Sequence, residues 1–244
     1  MASSEHHLFF ASRIENDTVF LDIDESRHAR SVLRFSAGET MFVGDGNGAV
    51  HECRIAAQSS GLVSGSIAST KAFSKPACTI NLFVGLCDRD KFEGMAEDLA
   101  ALGAAMIVPM LCRYSQKPWW NEWDKHALRV HKKLVAGIKQ SRNPWLPRCT
   151  SPMEFSDVFP QTESTFIIAA EARAGRFTDA CDKIKLARAI SCFIGPPGGF
   201  APDELEKLKA AGAVFVSLSE YRLRTELAAV SLCSAIRMAC AASA

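Results

Sequence analysis

Apolar and polar positions follow two different periods along this chain, and the change falls close to residue 70. Up to about Thr70 the apolar residues alternate over short runs, TVFLDI, then ETMFVGDGNGAVHECRI, then GLVSGSIAS. Period-2 runs separated by turn residues are strands, and Asp45-Gly46-Asn47-Gly48 between two such runs is a hairpin turn. The pattern predicts a small all-β module. Lys71 to Pro76 (KAFSKP) keeps no period and ends in a proline, so it reads as a boundary.

Beyond Pro76, unbroken apolar runs alternate with helical periodicity. TINLFVGL precedes DRDKFEGMAEDLAALG, where Phe92, Met95, Ala96, Leu99 and Leu102 share one helix face and Gly103 stands as the C-cap. AMIVPML, TFIIAAE, ISCFIG and VFVSL are further strands; a polar helix, the ELEKLKAAG helix and a long helix from about Thr225 lie among and after them. Such alternation predicts an α/β fold, a parallel sheet with helices on both faces. Sheets of this kind bind ligands in the crevice beyond the carboxyl ends of their strands. The expected division is residues 1–72 and 76–244.

At 244 residues and 48% hydrophobic content the chain has material for a large core, and two domains accord with the change of period. Nine cysteines, scattered from Cys53 to Cys240 and never in Cys-x-x-Cys spacing, speak against a disulfide framework and against a zinc site, so no metal is expected. A reducing cytoplasm suits them. MASSEHHLFF lacks a basic region followed by an apolar one, and no apolar run reaches the ~18 residues of a membrane span. The expectation is a soluble, cytoplasmic protein with no membrane partner. The terminal helix TELAAVSLCSAIRMACAA is apolar on more than one face, which predicts a homodimer, because a surface helix has only one such face.

The net charge of +1 is uninformative, but its distribution is not. Met1 to Lys75 holds seven Lys/Arg against nine Asp/Glu, whereas Arg113 to Arg148 holds nine against two, together with all four tryptophans. Cations interleaved with flat rings suit single-stranded nucleic acid. Two plainer readings stay open: tryptophans as core or interface anchors, and the lysines as a solvated helix face.

IGPPGGFAPDELEKLKAAGA places two prolines and two glycines, Pro196 to Gly199, between a buried strand and a helix whose first turn holds Pro202, Asp203 and Glu204. Glycines admit a ligand close to the backbone and prolines limit the conformations of the empty loop, so the pattern is that of a preformed pocket. Taken alone, these residues read first as a tight strand-to-helix turn with no ligand, and a further feature tips the balance. A second strand exit follows at once in SLSEYRLRTELAA, with Arg222 and Arg224 leading into Thr225 as an N-cap. Neither a P-loop nor a Gly-x-Gly-x-x-Gly spacing is present, which disfavours a nicotinamide enzyme and suggests a nucleoside-type ligand held by backbone groups.

GPPGGFAPDELEKLKAAG followed by VSLSEYRLRTELAA resembles the C-terminal signature of the SPOUT-class methyltransferases that make 3-methyluridine in 16S ribosomal RNA. HHLFF, SRHARSVLRFSAGETMFVGDGNG, DRDKFEGMAEDLAALGAAMIVPMLCRYS and KQSRNPWLP are similar to upstream sections of that family, so the resemblance spans nearly the whole chain. It implies a SPOUT-type trefoil-knotted parallel-sheet domain preceded by a small PUA-like β-barrel that binds RNA. It also implies S-adenosyl-L-methionine as cofactor, a homodimer, and 16S ribosomal RNA or the small ribosomal subunit as partner. Gly195, Pro196, Pro197, Gly198, Gly199, Leu218, Ser219, Leu223 and Thr225 inherit the cofactor pocket, and Ala170 and Glu171 inherit it by position. Pro197 stands where the family has glutamate, Asp98 and Ala101 where its first helix has lysine and glutamate, Cys112 replaces an acidic residue, and Arg142 falls where many members have glycine.

Methylating uridine N3 requires exposing the base, aligning it with the methyl donor and favouring its anionic form. Arg224 is the candidate for stabilising that charge, and Glu226 for taking the proton or clamping the arginine, with a capping or ion-pair role as its plain alternative. His28, Arg30, Arg34, Arg113 and Arg142 are candidate RNA contacts, while Arg27 reads as solvated. The rival reading is an RNA-binding or ribosome-assembly protein that keeps the fold without catalysis.

Overall fold

The computed structural model describes residues 7–56, 61–115, 119–159 and 166–241. Two compact units are present, Met1–Lys75 with Ile138–Leu146, and Pro76–Gly137 with Pro147–Ala244.

The first unit contains β1 (Leu8–Phe10), β2 (Arg13–Glu15), β3 (Thr18–Phe20), α1 (Ile23–Arg27), β4 (Thr40–Gly44), β5 (Ala49–Ile55) and β6 (Ser64–Ala72). Its sheet runs β1-β4-β5-β6-β3-β2, with β1 parallel to β4 and the other pairs antiparallel. The β4–β5 hairpin turns where the dipeptides predict: Gly46 and Gly48 have φ of 72° and 98°, and the Asp45 carboxylate accepts the amides of Asn47 at 2.7 Å and Ala49 at 2.9 Å. Phe9, Val19, Leu21, Met41, Val43, Cys53, Ile55 and Val63 form the core, the inward half of the alternation.

The unit is not all β. Asp22 caps α1 by accepting the Glu25 amide at 2.7 Å, and a π-helical turn, His28–Val32, continues it. No apolar stripe announced these turns, because Ile23 and Val32 are 65% and 64% exposed and only Ser26 and Ala29 are buried. The returning segment Ile138–Leu146 anchors on the hairpin. Trp145 covers Gly48 so closely that a Cβ there would lie 2.3 Å from its ring, and Gly48 donates to Pro144 O at 2.9 Å. Trp145 is therefore a packing residue, and Lys139, in the same segment, pairs with Glu25.

The second unit contains β7 (Thr79–Gly85), α2 (Arg89–Ala101), β8 (Met106–Leu111), most of α3 (Trp123–Ser141), β9 (Arg148–Cys149), β10 (Met153–Glu154) and β11 (Phe166–Arg176). It ends with α4 (Cys181–Leu186), β12 (Ala189–Ile194), α5 (Pro202–Ala210), β13 (Val214–Ser217) and α6 (Thr225–Ala241). The sheet is wholly parallel in the order β10-β8-β7-β12-β11-β13, with β9 also on β8. Phe83 and Phe193 are register partners whose rings stack at 4.7 Å on the face that receives Leu208 of α5. Alternate positions, Ile80, Leu82, Ile190 and Cys192, point to the other face, where α6 packs on β7 and β12 with α2 and α4 beside it.

α3 occupies the basic segment, in accord with the plainer reading of its lysines as a helix face. Val130, Leu134 and Ile138 bury one stripe, and Gly137 brings the helix so near α2 that a Cβ would lie 2.2 Å from Glu97 O. Lys133 pairs with Glu97 at 2.7 Å. Trp120 is 5% exposed, Trp119, Trp120 and Trp123 ring Phe92, and Trp119 Nε1 donates to Cys87 O at 3.1 Å. Trp120 is thus a core anchor, and the partly exposed Trp119 and Trp123 pack on the same ring. Among the described residues no helix is long and apolar enough to cross a membrane.

Candidate active site

The carboxyl ends of β7, β11, β12 and β13 open onto one cavity of about 750 Å³ in the second unit, a size suited to a small organic ligand. All the residues expected around a cofactor line it: Ala170, Glu171, Gly195 to Gly199, Leu218, Ser219, Leu223 and Thr225, with Arg224 and Glu226 beside them.

The loop after β12 is held from several directions. Gly199 donates to Pro196 O at 2.7 Å, closing a four-residue turn with Pro197 and Gly198 at its centre, and Gly199 itself has φ of 81°. Gly85, at the end of β7, lies so close that a Cβ there would be 2.3 Å from Pro196 N, and a Cβ on Gly198 would be 2.5 Å from Tyr114 Cβ. At the start of α5 the buried Glu204 carboxylate accepts the Ala201 amide at 2.7 Å and the Arg113 amide at 2.8 Å, tying the exit of β8 to that of β12.

The second loop runs from β13 to α6. Its helix start departs from expectation, since Arg224 holds the N-cap position, its carbonyl accepting the Ala228 amide at 2.8 Å. The Thr225 hydroxyl instead donates to Gly195 O at 3.0 Å, and the residue is 4% exposed. Arg224 and Glu226 form no ion pair with each other or with another described residue, so a Glu226 clamp on Arg224 is not made here.

Sequence reasoning missed several wall residues: Cys87, Asp88 and Lys91 after β7, and Arg173 from β11. The β7 exit could have been found from the rule that parallel sheets bind ligands at strand ends. Arg173 could not, because it depends on a register shift between Ala170 and Gly175 and on a φ of 79°. The rim thus carries both signs of charge, Lys91, Arg173, Arg222 and Arg224 against Asp88, Glu171, Glu220 and Glu226. Burial first, then the charges of Glu226 and Asp88, push the Cys87 thiol up to about 12, so it stays protonated.

The candidate RNA contacts are not brought to this cavity. Arg113, just after β8, pairs with Asp203 at 3.3 Å, both half exposed. In the first unit, His28 lies against Phe9 and His7, Arg30 donates to Gly61 O at 2.7 Å, and Arg34 and Arg142 adopt left-handed φ of 57° and 58°. Among the described residues no three His, Cys, Asp or Glu side chains are placed to hold a metal ion.

The chain belongs to the RNA methyltransferase family, whose domain model matches residues 74–237. It is 25% identical over 231 residues to ribosomal RNA small subunit methyltransferase E of Aquifex aeolicus, covering 93% of this chain and 97% of that one. It is 26% identical over 223 residues to the protein of the same name from Mycobacterium bovis, covering 88% of this chain and 84% of that one. The fold is similar to the crystal structure of a ribosomal RNA small subunit methyltransferase E from Neisseria gonorrhoeae bound to S-adenosyl methionine, with a TM-score of 0.83, 22% identity, and 95% and 97% coverage.

Proposed function

We propose that this chain methylates N3 of a uridine in 16S ribosomal RNA, with S-adenosyl-L-methionine held in the cavity at the strand ends. The observation that carries the reading is the convergence of the Gly195–Gly199 and Leu218–Glu226 loops on that cavity. Its walls suit a nucleoside joined to a charged amino-acid tail: backbone groups bared by glycine, apolar surface from Ile194, Leu218 and Leu223, and both signs of charge at the rim. Family membership and the relatives' names supply the RNA substrate, and the uracil position rests on the resemblance of the GPPGG and LRTE motifs.

When bound, the cofactor supplies a methyl group activated by positive sulfur. The chain's own part is to hold the base in line with it, which by itself removes much of the barrier. Arg224, exposed at the mouth, stabilises negative charge growing on the uracil ring, and Glu226 in the first turn of α6 accepts the N3 proton. The protonated Cys87 thiol adds no competing charge or nucleophile.

Residues 1–72 serve in this reading as a PUA-like RNA-binding module, with His28, Arg30 and Arg34 on a π-helical turn and just beyond it. Arg113 and Arg142 add phosphate contacts, Arg113 by exchanging Asp203 for a phosphate. Residues 76–244 form a knotted SPOUT domain that works in the cytoplasm as a homodimer through α6, where Leu227 and Met238 are 51% and 71% exposed. The test is incubation of purified chain, labelled S-adenosylmethionine and unmodified small ribosomal subunits, followed by mass mapping of the 16S RNA. A labelled 3-methyluridine is expected; label at another base or none refutes the reading.

A further inference from the structure

We propose that Arg222 is a positioning residue, a clasp that holds the Pro196–Gly199 turn in its ligand-ready form. The proposal rests on the cofactor site inferred above but is decided by behaviour of the free chain. Arg222 Nη2 donates to Pro197 O at 3.0 Å, and the same nitrogen lies 3.6 Å from the point a Cβ on Gly199 would occupy. One guanidinium therefore covers both the tip and the left-handed end of the turn.

The rest of the loop has buried supports. Pro196 abuts Gly85, Gly195 O accepts the buried Thr225 hydroxyl, and the Ala201 amide is held by the buried Glu204. Pro197 and Gly198 are exposed, and beyond the contact of Gly198 with Tyr114 the tip is tied to the second loop by Arg222. Proline suits the first central position of a turn, because its ring sets φ near −65°. It offers no side-chain acceptor, however, so a tie to this position must use the carbonyl. The glutamate that the family resemblance places at 197 would offer a carboxylate instead; here the rigid ring and the Arg222 bond together do the holding.

If the tip opened, the apparent affinity for a ligand would fall by the fraction of chains still closed. Removing one hydrogen bond from a charged donor at an exposed site should weaken binding roughly tenfold.

The experiment uses full-length wild type, Arg222→Ala, Arg222→Lys, Pro197→Gly and the double variant Arg222→Ala/Pro197→Gly. Two quantities are measured: amide hydrogen exchange across residues 195–201 without cofactor, and the Kd for S-adenosylmethionine by calorimetry. Arg222→Ala is expected to speed exchange at Gly198 and Gly199 in the free chain, to raise Kd about tenfold and to leave the melting midpoint unchanged. Arg222→Lys should recover part of both effects. Because both changes loosen one turn, the double variant should weaken binding by less than the product of the single effects. Wild-type exchange in Arg222→Ala overturns the clasp, and a raised Kd with unaltered exchange overturns it in favour of direct ligand contact. Should wild type itself fail to bind the cofactor, the functional reading fails while the exchange data still decide the clasp.

Discussion

The hydroxyl of Thr225 donates to the carbonyl of Gly195 at 3.0 Å, joining the loop after β12 to the first turn of α6. Thirty residues apart in the chain, the two loops become walls of one cavity through a part-buried bond whose donor, Thr225, is 4% exposed. An unmade partner there would be costly, since a carbonyl left alone and out of reach of water forfeits up to about 1–3 kcal/mol.

Thr225→Val keeps the shape and removes the donor. We expect S-adenosylmethionine affinity to fall by roughly five- to a hundredfold, the equivalent of that penalty, with Thr225→Ser near wild type. Calorimetric titration of both variants checks it; equal affinities would show that the bond does not organise the site.

Gly199→Val should abolish cofactor binding, because a β-branched residue resists a φ of 81°. Gly198→Ala should weaken it by displacing the loop from Tyr114. Circular dichroism is expected to show both chains folded, and saturable binding by the valine variant would contradict the assignment of this loop.

Arg224→Ala should lower kcat by about 10²- to 10³-fold, the usual loss of one charge-stabilising group, while the Kd for cofactor stays within about twofold. Single-turnover methylation of small subunits separates the two. A variant that loses cofactor binding instead would make Arg224 a pocket residue.

Burial holds the Cys87 thiol at about 12 against an ordinary 9.0. The folded chain therefore keeps this proton to higher pH than the unfolded chain, so the contribution to stability is complete below pH 9 and is lost as pH rises toward 12. Cys149 and Cys233, also raised by burial to about 12, act in the same direction. Melting midpoints should fall from about pH 9 upward, less steeply in Cys87→Ala; an identical slope would exclude Cys87 from the effect.

Trp120→Ala should destabilise the chain by about 3–5 kcal/mol, as loss of a buried indole does. Denaturant unfolding measures it. The salt dependence of RNA binding by the folded fraction is expected to match wild type, and a stable variant with weakened RNA binding would restore a base-stacking role.

The features legible in the residues alone are those that depend on neighbours along the chain. The apolar runs of β7, β8, β12 and β13, the stripe on α2 with Gly103 behind it, and the turn at Asp45–Gly48 are local, because strand and helix periods report which side of each segment is buried. The GPPGG and LRTE loops were legible as ligand-competent for the same reason, their backbone chemistry being written in prolines and glycines. The tertiary structure decided everything that depends on which segments meet. β12 inserts between β7 and β11, an order no periodicity encodes, and this brings Cys87 and Lys91 to face the Gly195 loop. A bulge turns Arg173 to the rim, the segment after α3 returns to the β4–β5 hairpin, and three tryptophans that resembled a nucleic-acid surface close around Phe92. Thr225 shows the limit most plainly. Its place at a helix start follows from the residues beside it, but its hydrogen-bond partner is set by the packing of β12 and α6, since a buried hydroxyl takes whichever acceptor the fold leaves within reach.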